Sequence, residues 1–170
     1  MPMSSKHLAI AFVLACFLLP ARAEDMPVPP NLQAAIFKKV FSYDKTIEGL
    51  NPKILVAFTD ESAEVKDKVI KAFKDAGVTV SAVKAEQLSA SVSGINVLYI
   101  APGVSGAKQI CQKNGILSIT GSPALVESGE VSVGLSVLDN KPKIIVHLKQ
   151  LKAEGHELSA KLLQLAKVIQ

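Results

Sequence analysis

The sequence predicts an α/β fold: a three-layer sandwich around a mostly parallel sheet with strand order 2-1-3-4, extended by a C-terminal antiparallel hairpin and a closing helix. Three observations predict it. Ile95-Asn96-Val97-Leu98-Tyr99-Ile100-Ala101 is a near-continuous apolar run of strand length that ends at Pro102-Gly103, the pattern of a strand buried on both faces. Amphipathic helix patterns precede and follow it, as a parallel sheet with crossover helices requires. Beyond Ser122-Pro123 the pattern changes to alternation, with Val131, Val133, Leu135 and Val137 against Ser132, Gly134 and Ser136. That alternation predicts a half-exposed antiparallel strand.

The elements follow in order. Lys6, the twelve-residue apolar run Leu8–Leu19 and the Ala-x-Ala pattern at Ala21-Arg22-Ala23 form a secretory leader over residues 1–23. The run is shorter than the roughly 20 apolar residues of a membrane span. The mature chain is expected to start at Glu24 and to form a single domain, residues 24–170, outside the cytoplasm in a bacterial periplasm, with no direct membrane insertion. After a Pro-rich lead-in, Asn31 is placed to cap a helix. Its stripe is Leu32, Ala35, Ile36, Val40 and Tyr43, widened by Phe37 and Phe41. Lys53–Phe58 is a buried strand. Thr59 or Asp60 caps the next helix, whose core face is Val65, Val69, Phe73 and Ala76, and Gly77 stops it.

Val78–Val83 is the second strand and Ala85–Leu88 a short helical turn. The central run follows, then a helix over Gly103–Asn114 and a strand over Ile116–Thr120. Ser122-Pro123 begins a turn. Asp139-Asn140-Lys141-Pro142 turns the hairpin back into Ile144, Val146 and Leu148. Leu151 lies in a short helical turn stopped by Gly155. Leu158, Leu162, Leu165 and Ile169 mark the closing helix.

Composition excludes some functions. Without the leader, 17 basic residues stand against 15 acidic ones, and the lysines are interspersed with acids, as in Lys66-Asp67-Lys68. A nucleic-acid footprint needs clustered basic residues, so no nucleic-acid partner is expected. His147 and His156 are nine apart and no cysteine pair exists in the mature chain, so neither metal binding nor an internal disulfide is expected. Cys111 shares a helix face with Val104 and Ala107 and reads as a small buried hydrophobe. No nucleophile elbow or triad pattern is present. No motif implies a cofactor.

One crevice remains for a ligand. In a doubly wound sheet of this order, solutes bind where the strand order reverses, between the first and third strands. The loops there supply Thr59, Asp60, Gly103 and Ser105. Gly103-Val104-Ser105-Gly106-Ala107-Lys108 could expose backbone N–H groups to an anion, but it matches neither dinucleotide nor Walker A spacing.

The C-terminal region carries a resemblance. Glu127-Ser128-Gly129 precedes the hairpin Val131–Leu138 and Lys143–Leu148. Gly155 follows, and the chain continues into Leu158-Ser159-Ala160-Lys161-Leu162-Leu163-Gln164-Leu165-Ala166. Together with Val97-Leu98-Tyr99-Ile100 and Phe41-Ser42-Tyr43-Asp44-Lys45, this ordered set resembles the YfiR/HmsC-type periplasmic regulators. The chain departs from them in lacking Trp and in having Cys111 alone where well-known members have paired cysteines, so disulfide-based control does not transfer. The resemblance implies a non-enzymatic protein that binds the periplasmic sensor domain of an inner-membrane protein, such as a diguanylate cyclase, and holds it inactive. Release raises cyclic di-GMP and promotes biofilm formation. It also implies a homodimer. Phe37 and Phe41 are the expected partner-binding residues. The alternative is a small-solute-binding domain using Thr59, Asp60, Gly103 and Ser105.

Overall fold

The computed structural model describes residues 26–170; the predicted leader, residues 1–23, lies outside the described residues. Seven strands form one sheet, in the order β2-β1-β3-β4-β5-β6-β7. They are β1 (Lys53–Phe58), β2 (Thr79–Lys84), β3 (Val97–Ile100), β4 (Leu117–Thr120), β5 (Val133–Leu138), β6 (Lys141–His147) and β7 (Lys167–Ile169). The first five are parallel, β6 returns antiparallel to β5, and β7 adds parallel to β6. The predicted 2-1-3-4 order is the left half of this sheet. β3 is buried along its whole length, because helices cover both of its faces.

One face packs against α1 (Pro30–Phe41), α2 (Ala63–Asp75) and α7 (Ala160–Leu165); the other packs against α3 (Leu88–Ser91), α4 (Ala107–Asn114) and α5 (Pro123–Glu127). α6 (Leu148–Ala153) follows β6 at the far end. The first core centres on three rings. Phe37 of α1, Phe73 of α2 and Tyr99 of β3 stand with centroids 6.3–6.5 Å apart.

α1 turns a different face inward from the predicted stripe. Its buried residues are Gln33, Ala34, Phe37, Val40 and Phe41, while Leu32 and Ala35 are exposed. The set has helical spacing with a polar residue inside it. Gln33 is tolerated there because both ends of its amide are bonded. Nε2 donates to Val28 O at 2.7 Å, and Oε1 accepts from the Tyr99 hydroxyl at 2.9 Å. The helix starts on Pro30 rather than after an Asn31 cap; proline at the first position loses no intrahelical hydrogen bond.

Other boundaries differ for local reasons. α4 begins at Ala107, not Gly103, because Gly103 and Gly106 both take positive φ and hold the intervening loop out of the helix. Ser122-Pro123, expected to begin a turn, instead opens α5 at Pro123. β5 does not expose one face along its length: it pairs on both sides, Val133, Gly134 and Leu135 are all buried, and only its second half emerges. The closing helix ends at Leu165, and the chain switches to the extended β7 where the β-branched Val168 and Ile169 occur.

The two ends of the described chain are clasped together. Asp44 and Leu158 form an isolated antiparallel bridge, Lys45 N donates to Glu157 O at 3.0 Å, and Ser159 N donates to Tyr43 O at 2.9 Å.

Candidate functional site

The predicted partner-binding residues are not on the surface. Phe37 is 0% exposed and Phe41 4%. Phe37 belongs to the ring triad, and Phe41 shows only an edge to a shallow hollow of about 210 Å³ beside Leu50 and Pro52. The reason is that α1 is flanked by α2 as well as by the sheet, so the apolar arc needed for packing is broad enough to take both rings. While α1 is seated, Phe37 is out of reach and Phe41 offers only that edge.

The switch-point loops do meet. A Cβ on Gly103 would lie 3.3 Å from Thr59 Oγ1, and Gly103 has φ +85°, so a larger residue there would be crowded and strained. Thr59 N donates to Ser62 Oγ at 3.0 Å, which caps the short turn Asp60–Ser62 leading into α2. The Thr59 hydroxyl donates to Glu61 Oε2 at 3.3 Å. Asp60 turns away to Lys84 at 2.7 Å, and Ser105 is exposed. Thr59 and Asp60 are thus engaged with their own loop and with β2. Among the described residues no group of three or more His, Cys, Asp or Glu could hold a metal ion.

Sequence reasoning missed a polar network inside the fold. Glu154, 1% exposed, follows α6 and accepts four hydrogen bonds. Oε2 takes Ser118 N at 3.1 Å and Ser132 Oγ at 2.6 Å; Oε1 takes Ser118 Oγ and, at 2.9 Å, Gln150 Nε2. Burial pushes its carboxyl above the usual range, and the hydrogen bonds pull it only part of the way back. The same burial, with Glu154 nearby, pushes the Cys111 thiol up, which removes it from thiolate chemistry. His156 lies next to this network. Its Nδ1 meets Asp44 Oδ2 at 2.7 Å and its Nε2 meets Gly115 O at 3.2 Å. Burial alone would lower its pKa, but Asp44 and the Gly115 carbonyl outweigh burial and raise it. Two acceptors on the two ring nitrogens are fully satisfied only by imidazolium. The available signal was a serine inside each of two apolar runs, Leu117-Ser118-Ile119 and Val131-Ser132-Val133. A buried hydroxyl requires a partner.

Besides Leu32 on α1 and Leu50 beside it, the exposed large apolar side chains of the described residues lie toward the hairpin end of the sheet. β5 is buried through Leu135 and then emerges, leaving Val137 and Leu138 exposed, Leu138 at 57%. Asp139 and Asn140, both at positive φ, make the two-residue turn. β7 covers β6 only over residues 145–147. At the other end of β6, where β7 pairs with it, Leu165 is 63% exposed and Val168 is also exposed. A cleft of about 350 Å³ runs between Pro27, Pro123, Val137, Leu138 and Lys167. Lys141-Pro142-Lys143 occupies the uncovered start of β6. Lysines and proline there discourage indiscriminate strand addition, while the apolar side chains stay open to a specific partner.

The family model of YfiR/HmsC-like domains matches residues 31–167. None of the curated proteins matches this chain. Among solved structures it is similar to an ABC domain in complex with L-Trp from Streptococcus pneumonia, with 13% identity, a TM-score of 0.60, and coverage of 84% of this chain and 60% of that one. A conserved domain protein from Vibrio cholerae O1 biovar El Tor has 9% identity and a TM-score of 0.63, with coverage of 85% and 61%. A ligand-free, open substrate-binding protein with adhesive properties from Clostridium difficile has 16% identity and a TM-score of 0.59, with coverage of 85% and 61%. The chain spans about three fifths of the length of these structures, and at such identities the likeness is one of fold, an α/β sandwich. Among the described residues no helix is long and apolar enough to cross a membrane. With the family match running from α1 into β7, the chain belongs to the YfiR/HmsC-like family of periplasmic regulators.

Proposed function

We propose that this protein is a non-enzymatic regulator that binds the periplasmic sensor domain of an inner-membrane protein, such as a diguanylate cyclase, and holds it inactive. Family membership supports the regulatory role. The observation that carries the binding surface is the exposed apolar rim of the hairpin, Val137 and Leu138, with Leu165 and Val168 exposed further along the same sheet edge. The fold leaves these side chains in water while burying Phe37 and Phe41. Exposed apolar clusters of this kind mark interaction sites. The rim replaces α1 as the expected contact.

The test is affinity capture with immobilised protein from Glu24 onward and detergent-solubilised membranes of the source organism. Wild type should retain a membrane protein with a periplasmic sensor and a cytoplasmic cyclase domain. Leu138→Glu and Leu165→Glu should each weaken retention by about tenfold or more without changing the melting temperature. If both variants capture the same protein as well as wild type does, the rim is not the contact. If deleting the gene leaves cyclic di-GMP unchanged, the repressor role itself is wrong.

A further inference from the structure

A cleft of about 340 Å³ opens between α4, α6, the end of β6, the turn at Ser128-Gly129 and Gln170. That size is within the roughly 300–1,000 Å³ typical of small-molecule sites. Its walls carry Lys108, Gln112, His147, Lys149 and Gln150, with Gln170 at the edge, and no Asp or Glu side chain lines it. Lys108 has one carboxylate neighbour, Glu130, at a long 3.8 Å. Lys149 is exposed and forms no ion pair among the described residues.

The donors are held in place. His147 Nδ1 accepts from Gln150 N at 3.2 Å, which sets the proton of the neutral ring on Nε2. That N–H faces solvent and has no hydrogen-bond partner among the described residues. The ring sits against Gly129, where a Cβ would come within 2.9 Å of Nε2. Gln150, 2% exposed, is fixed from both sides. Its Oε1 accepts from Gln112 Nε2 at 2.7 Å, and its Nε2 donates to Glu154 Oε1 at 2.9 Å. Gln112 keeps a second N–H for a ligand. The cleft therefore presents two ammonium groups, an imidazole N–H and an amide N–H on a wall anchored to the buried network.

We infer that this cleft binds a small multivalent anion bearing phosphate or carboxylate groups. Multivalency follows from the wetness of the site. One unit charge gains only about 1 kcal/mol from another at 4 Å in bulk water, so useful affinity needs an anion that engages several donors at once. Charge-assisted hydrogen bonds to phosphate or carboxylate oxygens then supply the geometry.

Calorimetric titration of the full chain tests this, using sodium pyrophosphate and, separately, sodium citrate at constant ionic strength, with acetate as the monovalent control. The expected result is saturable one-to-one binding of at least one multivalent probe and none of acetate; which probe binds tells phosphate from carboxylate. Lys149→Gln should weaken binding about fivefold to tenfold, and adding Lys108→Gln should abolish it. Amide shifts at Gly129 and Gln150 should move in step with saturation. The inference is overturned if neither multivalent probe gives saturable heat. It is also overturned if the double variant, with wild-type melting temperature, binds as tightly as wild type.

Discussion

Replacing Phe37 by alanine should destabilise the fold severely, and the structure sets the size of the effect. Phe37 is fully buried and stands 6.5 Å from Phe73 and 6.4 Å from Tyr99 between ring centroids, distances typical of favourable aromatic pairs. α1, α2 and β3 enclose the site, so the space left by the ring cannot collapse without moving a helix. Buried Phe→Ala changes cost about 3–5 kcal/mol, with the upper end reached where surroundings stay rigid. The expectation is therefore about 4 kcal/mol, a large part of the roughly 5–15 kcal/mol that keeps an ordinary domain folded. Urea titration followed by far-UV circular dichroism measures it. With a slope near 2 kcal/mol/M, the midpoint should fall by about 2 M while the slope stays the same. A loss below about 1 kcal/mol would refute the reasoning, because it would mean that α1 is not seated on the ring triad in solution. Phe37 would then be a surface residue after all.

Two further perturbations test other parts of the fold. Gly134→Ala places a Cβ 2.5 Å from Val126 Cγ2 and 3.3 Å from the Thr120 carbonyl oxygen; the overpacking should cost about 1–3 kcal/mol and lower the melting temperature by several degrees in a thermal scan. Glu154 and His156 both hold protons more tightly folded than unfolded, since their pKa values are raised above the ordinary 4.5 and 6.5. The stability each contributes is full below that ordinary value and is lost as pH rises through the folded one. Urea midpoints of wild type and Glu154→Gln measured from pH 4 to 8 should therefore diverge, with wild type losing more stability as pH rises; parallel curves would show that Glu154 ionises normally.

The parallel half of the sheet was legible because its strands are buried on both faces and therefore spell out continuous apolar runs, as in Val97-Leu98-Tyr99-Ile100. The hairpin turn was legible in Asp139-Asn140, residues that tolerate positive φ. What periodicity could not convey was which arc of α1 faces inward. Gln33 counts as polar in the pattern, yet a single hydroxyl from β3, 66 positions away, makes its burial possible. The same limit hid Glu154, whose partners Ser118 and Ser132 lie on β4 and just ahead of β5. β7 was hidden because Leu162, Leu165 and Ile169 keep helical spacing across a break that only the sheet edge decides. Of the crevice residues, Thr59 and Gly103 were placed together correctly by strand order alone. Their engagement with Glu61 and Ser62 depends on side-chain rotamers, which a pattern of residue types does not specify.

The clasp between residues 43–45 and 156–159 gives this fold an order of assembly. His156 reaches Asp44 across 112 positions of sequence, so α1 has no complete seat until the C-terminal part of the chain is present. Contacts of such long range are paid for in loop entropy before they return anything, which slows folding. On a chain emerging from its N-terminus, α1 is among the first elements made and among the last secured. Throughout that interval α1 rests, without the clasp, on contacts such as those Phe37 makes with Phe73 and Tyr99. A truncation just before His156 would remove the clasp and leave α1 held by α2 and β3 alone.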